Sequence, residues 1–322
     1  MSPDFTGSKN IHQRYRDDLL GINPTYRKWN GKGSLVSLWE YVGGARTEME
    51  RALMSHLPFA PAGVDRSFNE ALCYALFPGG KRLRPVMTLL GAELVGGDAG
   101  EVLSAATAVE YVHTSSLIFD DLPCMDNASE RRGLEALHLR YSESLAVLVA
   151  LALLNTSYGL VFEHRHATRR QSIQAHAELV ACIGTNGMVT GQTVDLSGAA
   201  GRDEGDVIRN LKTSALMRLS LRLGAILSGA DSRQLAALSR FAELLGQAYQ
   251  ISDDVIDLAE DASFVVGGRA ATLAIECGPR GAKLHLARML DRAKGVLLTE
   301  FGRSRPALVL CEMADYIAGR EA

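Results

Sequence analysis

Two groups of aspartates have the composition and spacing for chemistry. The first is Asp120-Asp121-Leu122-Pro123-Cys124-Met125-Asp126, and the second is Asp253-Asp254-Val255-Ile256-Asp257 with Asp261 one turn later. Each follows an apolar helical run, Val109 to Phe119 and Phe241 to Ile251. Residues four apart share a helix face, so Asp253, Asp257 and Asp261 point the same way. Pro123 breaks the hydrogen-bond ladder between Asp120 and Asp126. The helix is therefore predicted to end there and to curl Asp126 back toward Asp120. Carboxylates this dense repel one another unless cations hold them. Oxygen ligands without nitrogen or sulfur suit Mg²⁺, which keeps waters and shares itself with phosphates. Two facing clusters of this kind would hold a diphosphate between them through metal ions.

The cations form a complementary set. Gly79-Gly80-Lys81-Arg82-Leu83-Arg84-Pro85 places three of them in four positions after a flexible turn. Glycine lets backbone approach an anion, arginine offers a planar fork to phosphate oxygens, and lysine offers a compact charge. Arg131-Arg132-Gly133 follows the first acid cluster, where it would balance carboxylates or grip a diphosphate. His113 lies about two turns before Asp120 on the same face. Gly191-Gln192-Thr193-Val194-Asp195 and Lys212-Thr213 set polar groups in apolar helical contexts, and Gln250 lies one turn before Asp253.

The elements that must position these groups are nearly all helical. Apolar residues recur at helical spacing from Leu35 onward, punctuated by glycine and proline. Helices are expected from Leu35 to Pro58, Phe68 to Phe77, Arg84 to Gly96, Glu101 to Phe119 and Ser144 to His164. They continue from Ile173 to Met188, Val207 to Leu227, Ser232 to Leu258, Gly281 to Phe301 and Leu308 to Ile317. No repeat of 20–50 residues is visible. The pattern predicts an all-α single-domain bundle over residues 35–322, preceded by a polar tail, residues 1–34. Tyr15, Tyr26 and Trp29 give that tail aromatic groups with which to dock.

Composition narrows the class. The chain has 322 residues, 47% hydrophobic, enough for a large core, and a net charge of −3, which argues against general nucleic-acid binding. The longest uninterrupted apolar run, Leu145 to Leu154, is half of what a membrane span needs and reads as a core helix. No signal or transit peptide is read at the start. The five cysteines, Cys73, Cys124, Cys182, Cys277 and Cys311, are scattered and fit reduced thiols in the cytoplasm.

Taken together, the Gly-Gly-Lys-Arg-Leu-Arg-Pro motif, the two acid motifs, Arg131-Arg132-Gly133, Gly191-Gln192 and Lys212-Thr213 resemble the trans-isoprenyl diphosphate synthases. The likeness runs from about residue 40 to 320 and includes the ending Met313-Ala314-Asp315-Tyr316-Ile317. The spacer in the first acid motif is most similar to the geranylgeranyl-type branch. The resemblance implies an all-α prenyltransferase with a deep central cavity, a homodimer, and three Mg²⁺ per active site. It implies condensation of an allylic diphosphate with isopentenyl diphosphate, with pyrophosphate leaving.

By this likeness Asp120, Asp126 and Asp253 are metal ligands, with Asp257 in the metal-binding set, and Asp121 and Asp254 supporting them. Lys81, Arg84, His113 and Arg132 hold isopentenyl diphosphate. Arg131, Lys212 and Gln250 hold the allylic diphosphate, with Thr213 nearby. Ser115 and Ser116, just before the first cluster, set chain length; short-product members carry a bulky aromatic near Ser115, so two serines imply a C20 product. The other floor considered is Tyr158 or Phe162.

Some positions depart from the family pattern. No lysine occurs in the loop from Asp261 to Thr272, where Arg269 is the only cation; Ala150-Leu151 replaces a Gly-Asp pair, and Leu134-Glu135-Ala136 replaces a Lys-Pro-Thr-like stretch. Two other readings therefore stand beside elongation. One is a weakly catalytic or silent subunit that regulates a partner synthase. The other is altered chemistry, either cyclisation or a different acceptor.

Overall fold

The computed structural model describes residues 37–61, 63, 66–77, 79–197, 202–260 and 273–320, with positions 197, 202–211, 257–260 and 273–276 described as backbone only. The tail and the loop holding Asp261 and Arg269 lie outside the described residues.

The first helix, α1 (Leu38–Ser55), starts at Ser37, whose side chain accepts from Trp39 N–H in a capping box with Glu40. α2 (Arg66–Leu76) follows. α3 (Leu83–Leu94) carries Pro85 in its first turn, where a missing N–H costs nothing. One 3₁₀ turn leads into α4 (Leu103–Asp121), which is buried along most of its length. A two-strand hairpin, β1 (Glu130–Arg131) and β2 (Leu134–Glu135), was not expected from the sequence. Its turn residues Arg132 and Gly133 both have positive φ, 56° and 77°. That is the two-residue turn that matches strand twist.

Next come α5 (Leu137–Arg140), α6 (Glu143–Leu160), α7 (Arg169–Ile183) and α8 (Met188–Ser197). The helix expected to run from Ile173 to Met188 instead stops at Ile183, where Gly184 is extended and accepts no helical geometry. α9 (Arg202–Leu227), α10 (Ser232–Glu260), α11 (Leu273–Phe301) and α12 (Arg305–Ala318) complete the chain. α11 kinks at Gly278, φ 70°, just before Pro279.

The fold is an all-α bundle, as the periodicity predicts. α4 packs between α3 and α6, and α9 packs on α3, α8 and α10. The α3–α9 crossing is close because each helix brings a glycine to it. A Cβ on Gly91 would sit 2.1 Å from Leu221 O, and one on Gly224 would sit 1.9 Å from Thr88 O. This approach brings Arg84, on α3, near Lys212, on α9. Among the described residues one helix, α6, is long and apolar enough to cross a membrane. It buries Ala146, Val149 and Leu153 but turns Val147, Leu148 and Leu151 outward.

Candidate active site

The first acid cluster sits where α4 ends. Leu122 is extended, Pro123 cannot continue the ladder, and the chain folds back so that Asp126 N–H donates to Asp120 O at 2.9 Å. Asp126 thus returns to Asp120 as expected. Asp120 and Asp121 are buried, and each has a cation. Lys212 Nζ donates to Asp120 Oδ2 at 2.7 Å and also to Gln192 Oε1. Arg131 grips Asp121, with Nε 3.0 Å from Oδ1. Burial pushes the Asp120 pKa up, Lys212 opposes this, and Asp126 adds to the rise. Arg131 therefore faces Asp121 here rather than open space.

The second cluster lies on α10. Asp253 Oδ1 is 2.7 Å from Arg320 Nη1, and Arg320 stacks over the Tyr249 ring at 4.1 Å. Asp254 is half-buried on the next position. The side chain of Asp257 is outside the described residues.

The Lys-Arg-x-Arg motif divides by direction. Arg82 takes a left-handed backbone, φ 55°, and turns inward. Its guanidinium meets Glu50 at 3.0 Å, Glu110, and Leu76 O at 2.8 Å, and it is fully buried. Burial alone would lower its pKa, but Glu110 and Glu50 outweigh that and raise it. The three-cation signal is thus a two-cation site on a structural anchor. The clue in the sequence was Glu110, an acid inside the apolar run of α4.

Arg84 faces the cavity and lies 3.1 Å from His113 Nε2. Burial, then the charges of Arg84 and Arg132, hold His113 well below its ordinary pKa, so it is neutral and accepts from Arg84. Arg84 and Arg132 are themselves pushed down, chiefly by burial. Arg84 Nε has no hydrogen-bond partner. Arg132 comes in from the hairpin turn, its guanidinium 3.3 Å from where a Cβ on Gly80 would stand. Lys81 donates to Tyr316 and lies 4.9 Å from that ring's centre. Cations that are buried and short of counter-charge make a site for an anion rich in acceptor oxygens.

Of these groups Arg84, His113, Asp120 and Lys212, with Thr213 and Gln250, line a cavity of about 280 Å³, whereas Asp121, Arg131 and Arg132 line a neighbouring one. The 280 Å³ cavity adjoins an apolar cavity of about 270 Å³ through Ser116, Asp120 and Lys212. Val112, Ser115, Leu154, Ile183 and Val189 line the apolar one. Ser115 Oγ donates to Ala150 O at 2.9 Å, and Ser116 Oγ to His113 O at 2.8 Å, so neither hydroxyl blocks the space. Phe162 is 51% exposed and lies against His176, as does Tyr158, and neither lines this cavity. Val112, Leu154 and Ile183 were not anticipated as lining; nor were Tyr249 and Arg320 as neighbours of Asp253, since neither belongs to a motif.

Divalent cations fit this donor set. Asp120, Asp126 and Asp253 offer oxygen only. Such donors would suit an ion that keeps waters and takes further oxygens from a bound diphosphate. The arrangement can neutralise a diphosphate at one end and shelter a hydrocarbon chain at the other.

Comparison with known proteins agrees with this geometry. Residues 65–267 match the polyprenyl synthetase family. The chain is 37% identical over 274 residues to the chloroplastic geranylgeranyl pyrophosphate synthase 9 of Arabidopsis thaliana, spanning 79% of this chain and 74% of that one. It is 38% identical over 269 residues to a chloroplastic geranylgeranyl pyrophosphate synthase of Capsicum annuum, spanning 79% and 71%. A solved FPP/GFPP synthase of Zymomonas mobilis superposes with a TM-score of 0.78 at 31% identity, covering 87% of this chain and 98% of that one. A geranyltransferase of Legionella pneumophila gives 0.77 at 26% identity, covering 88% and 97%. With the helical bundle, the paired acid clusters and the buried cations in place, the chain belongs to the polyprenyl synthetase family and is a trans-prenyltransferase.

Proposed function

We propose that this protein condenses an allylic diphosphate with isopentenyl diphosphate and releases geranylgeranyl diphosphate, C20, as its main product. The observation that carries the reading is the junction of the two cavities at Ser116, Asp120 and Lys212. A diphosphate at Lys212 and Gln250 points its prenyl chain along Ser115 and Val112. Arg84, His113, Arg132 and Lys81 hold the second diphosphate beside it. Bound Mg²⁺ would neutralise the leaving diphosphate. Asp120, Asp126 and Asp253 would hold it, with Asp257 in the set and Asp121 and Asp254 in support. Lys212 adds a fixed positive charge where pyrophosphate departs. Apolar walls exclude water from the allylic cation.

The reading includes a homodimer. Val147, Leu148 and Leu151 on α6 and Ile173 and Val180 on α7 form exposed apolar stripes, joined by Phe162. Such a face, too apolar for a free surface, suits a second copy of itself. A cytoplasmic location is also part of the proposal, tested by fractionation of the native host.

The test is incubation of the protein with Mg²⁺, isopentenyl diphosphate and C5, C10 or C15 primers, with products identified by mass. A C20 diphosphate, absent in Asp120→Ala and Asp253→Ala, is expected. Ser115→Tyr should shorten the product to C15 or less. An unchanged product would overturn the role of Ser115, and no consumption of any primer would overturn elongation itself.

A further inference from the structure

Arg320 follows the C-cap residue Gly319 of α12 and reaches back to α10. Its Nη1 lies 2.7 Å from Asp253 Oδ1, and its plane covers Tyr249, one turn before Asp253. The position is not that of a loose chain end. Ser252 Oγ donates to Ile317 O at 3.3 Å, Leu38 N–H donates to Glu312 at 2.6 Å, and Trp39 meets Tyr316 edge-on at 5.1 Å. α12 is thus pinned to both α1 and α10 just before Arg320. The ion pair itself is close but misaligned. Arg320 Nη1 is buried and makes no hydrogen bond, so charge and ring stacking hold it. A misaligned pair with both side chains partly exposed, 20% and 35%, is one that a divalent ion can displace.

We propose that Arg320 is a positioning residue that acts through Asp253: it pairs with this carboxylate and lowers the affinity of the second acid cluster for divalent cations. The inference rests on the reading of Asp253 as a metal-binding residue. It follows from electrostatics, since a carboxylate already neutralised at 2.7 Å binds a second cation less tightly. Removing the guanidinium charge takes away that competing positive charge.

The test is Mn²⁺ binding to the full-length protein without diphosphate, followed by electron paramagnetic resonance, with circular dichroism melts to confirm folding. Arg320→Gln should bind Mn²⁺ about fivefold more tightly at the Asp253-dependent site, the size expected for a partly exposed ion pair. Arg320→Lys, which keeps the charge, should stay near wild type; this separates charge from shape. In an Asp253→Asn background, Arg320→Gln should change nothing. If Asp253→Asn weakens Mn²⁺ binding but Arg320→Gln does not strengthen it, the inference fails and the site reading stands. If Asp253→Asn leaves Mn²⁺ binding unchanged, the reading of Asp253 fails and the inference falls with it.

Discussion

At the residue scale, two neighbours with the same charge have opposite jobs. Arg82 has Glu50 and Glu110 as buried partners, whereas Arg84 has only a neutral histidine and an orphaned Nε. Removing Arg82 leaves Glu110 buried without its ion-pair partner and Glu50 with only the more distant Arg46, 3.9 Å away. Arg82→Met should therefore cost about 3–5 kcal/mol of stability in urea unfolding. Arg84→Met removes a buried, under-paired cation and should cost less than ~1 kcal/mol, while the KM for isopentenyl diphosphate rises at least ~10-fold. Equal stability losses in the two variants would refute the division. His113 gives a pH signature. Its folded pKa is depressed below the ordinary 6.5, so it is neutral in both states above that value. Below 6.5 the unfolded chain takes up a proton that the folded one refuses. Stability is then lost as pH falls, by up to ~1.4 kcal/mol per unit from this group. His113→Gln should flatten that segment of a stability-versus-pH curve, and an identical slope in both proteins would remove His113 from the account.

At the element scale, the outward stripe of α6 carries the association prediction. Leu148 and Leu151 are each 53% exposed and lie on one face of the helix. Leu148→Glu with Leu151→Glu should convert a dimer into monomers in sedimentation velocity, with the helical circular dichroism retained. A wild-type monomer at micromolar concentration would sink the dimer. Most helices were legible because glycine and proline mark their ends and apolar residues recur at helical spacing. The hairpin was not, since strands of two residues are too short to show alternation. Nor was the break at Gly184, because apolar residues resume at Met188 and hide it. The return of Asp126 to Asp120 was legible from Pro123, which removes one donor and forces the turn. The inward turn of Arg82 was not, because its partners on α1 and α4 meet it only through the tertiary fold.

At the scale of the whole molecule, the two acid clusters sit on different helices that reach one cavity, which Asp120 lines directly and α10 lines through Gln250, one turn before Asp253. Asp120 ends α4 and Asp253 sits on α10, with α9 and its Lys212 between them. Asp120 pairs with Lys212, and Asp253 pairs with Arg320. A bound metal–diphosphate complex held by Asp120 and Asp253 would replace these separate pairings by a link that needs both helices. Mg²⁺ and inorganic pyrophosphate together should then stabilise the fold more than the sum of either alone. At a hundredfold excess over Kd the gain is ~2.7 kcal/mol, equivalent to about 5 °C in the melting temperature of a domain this large. Asp120→Ala or Asp253→Ala should each abolish most of that shift, because one helix alone cannot hold the complex. Retention of half the shift in each variant would mean that the clusters bind independently, and that the two helices are not bridged.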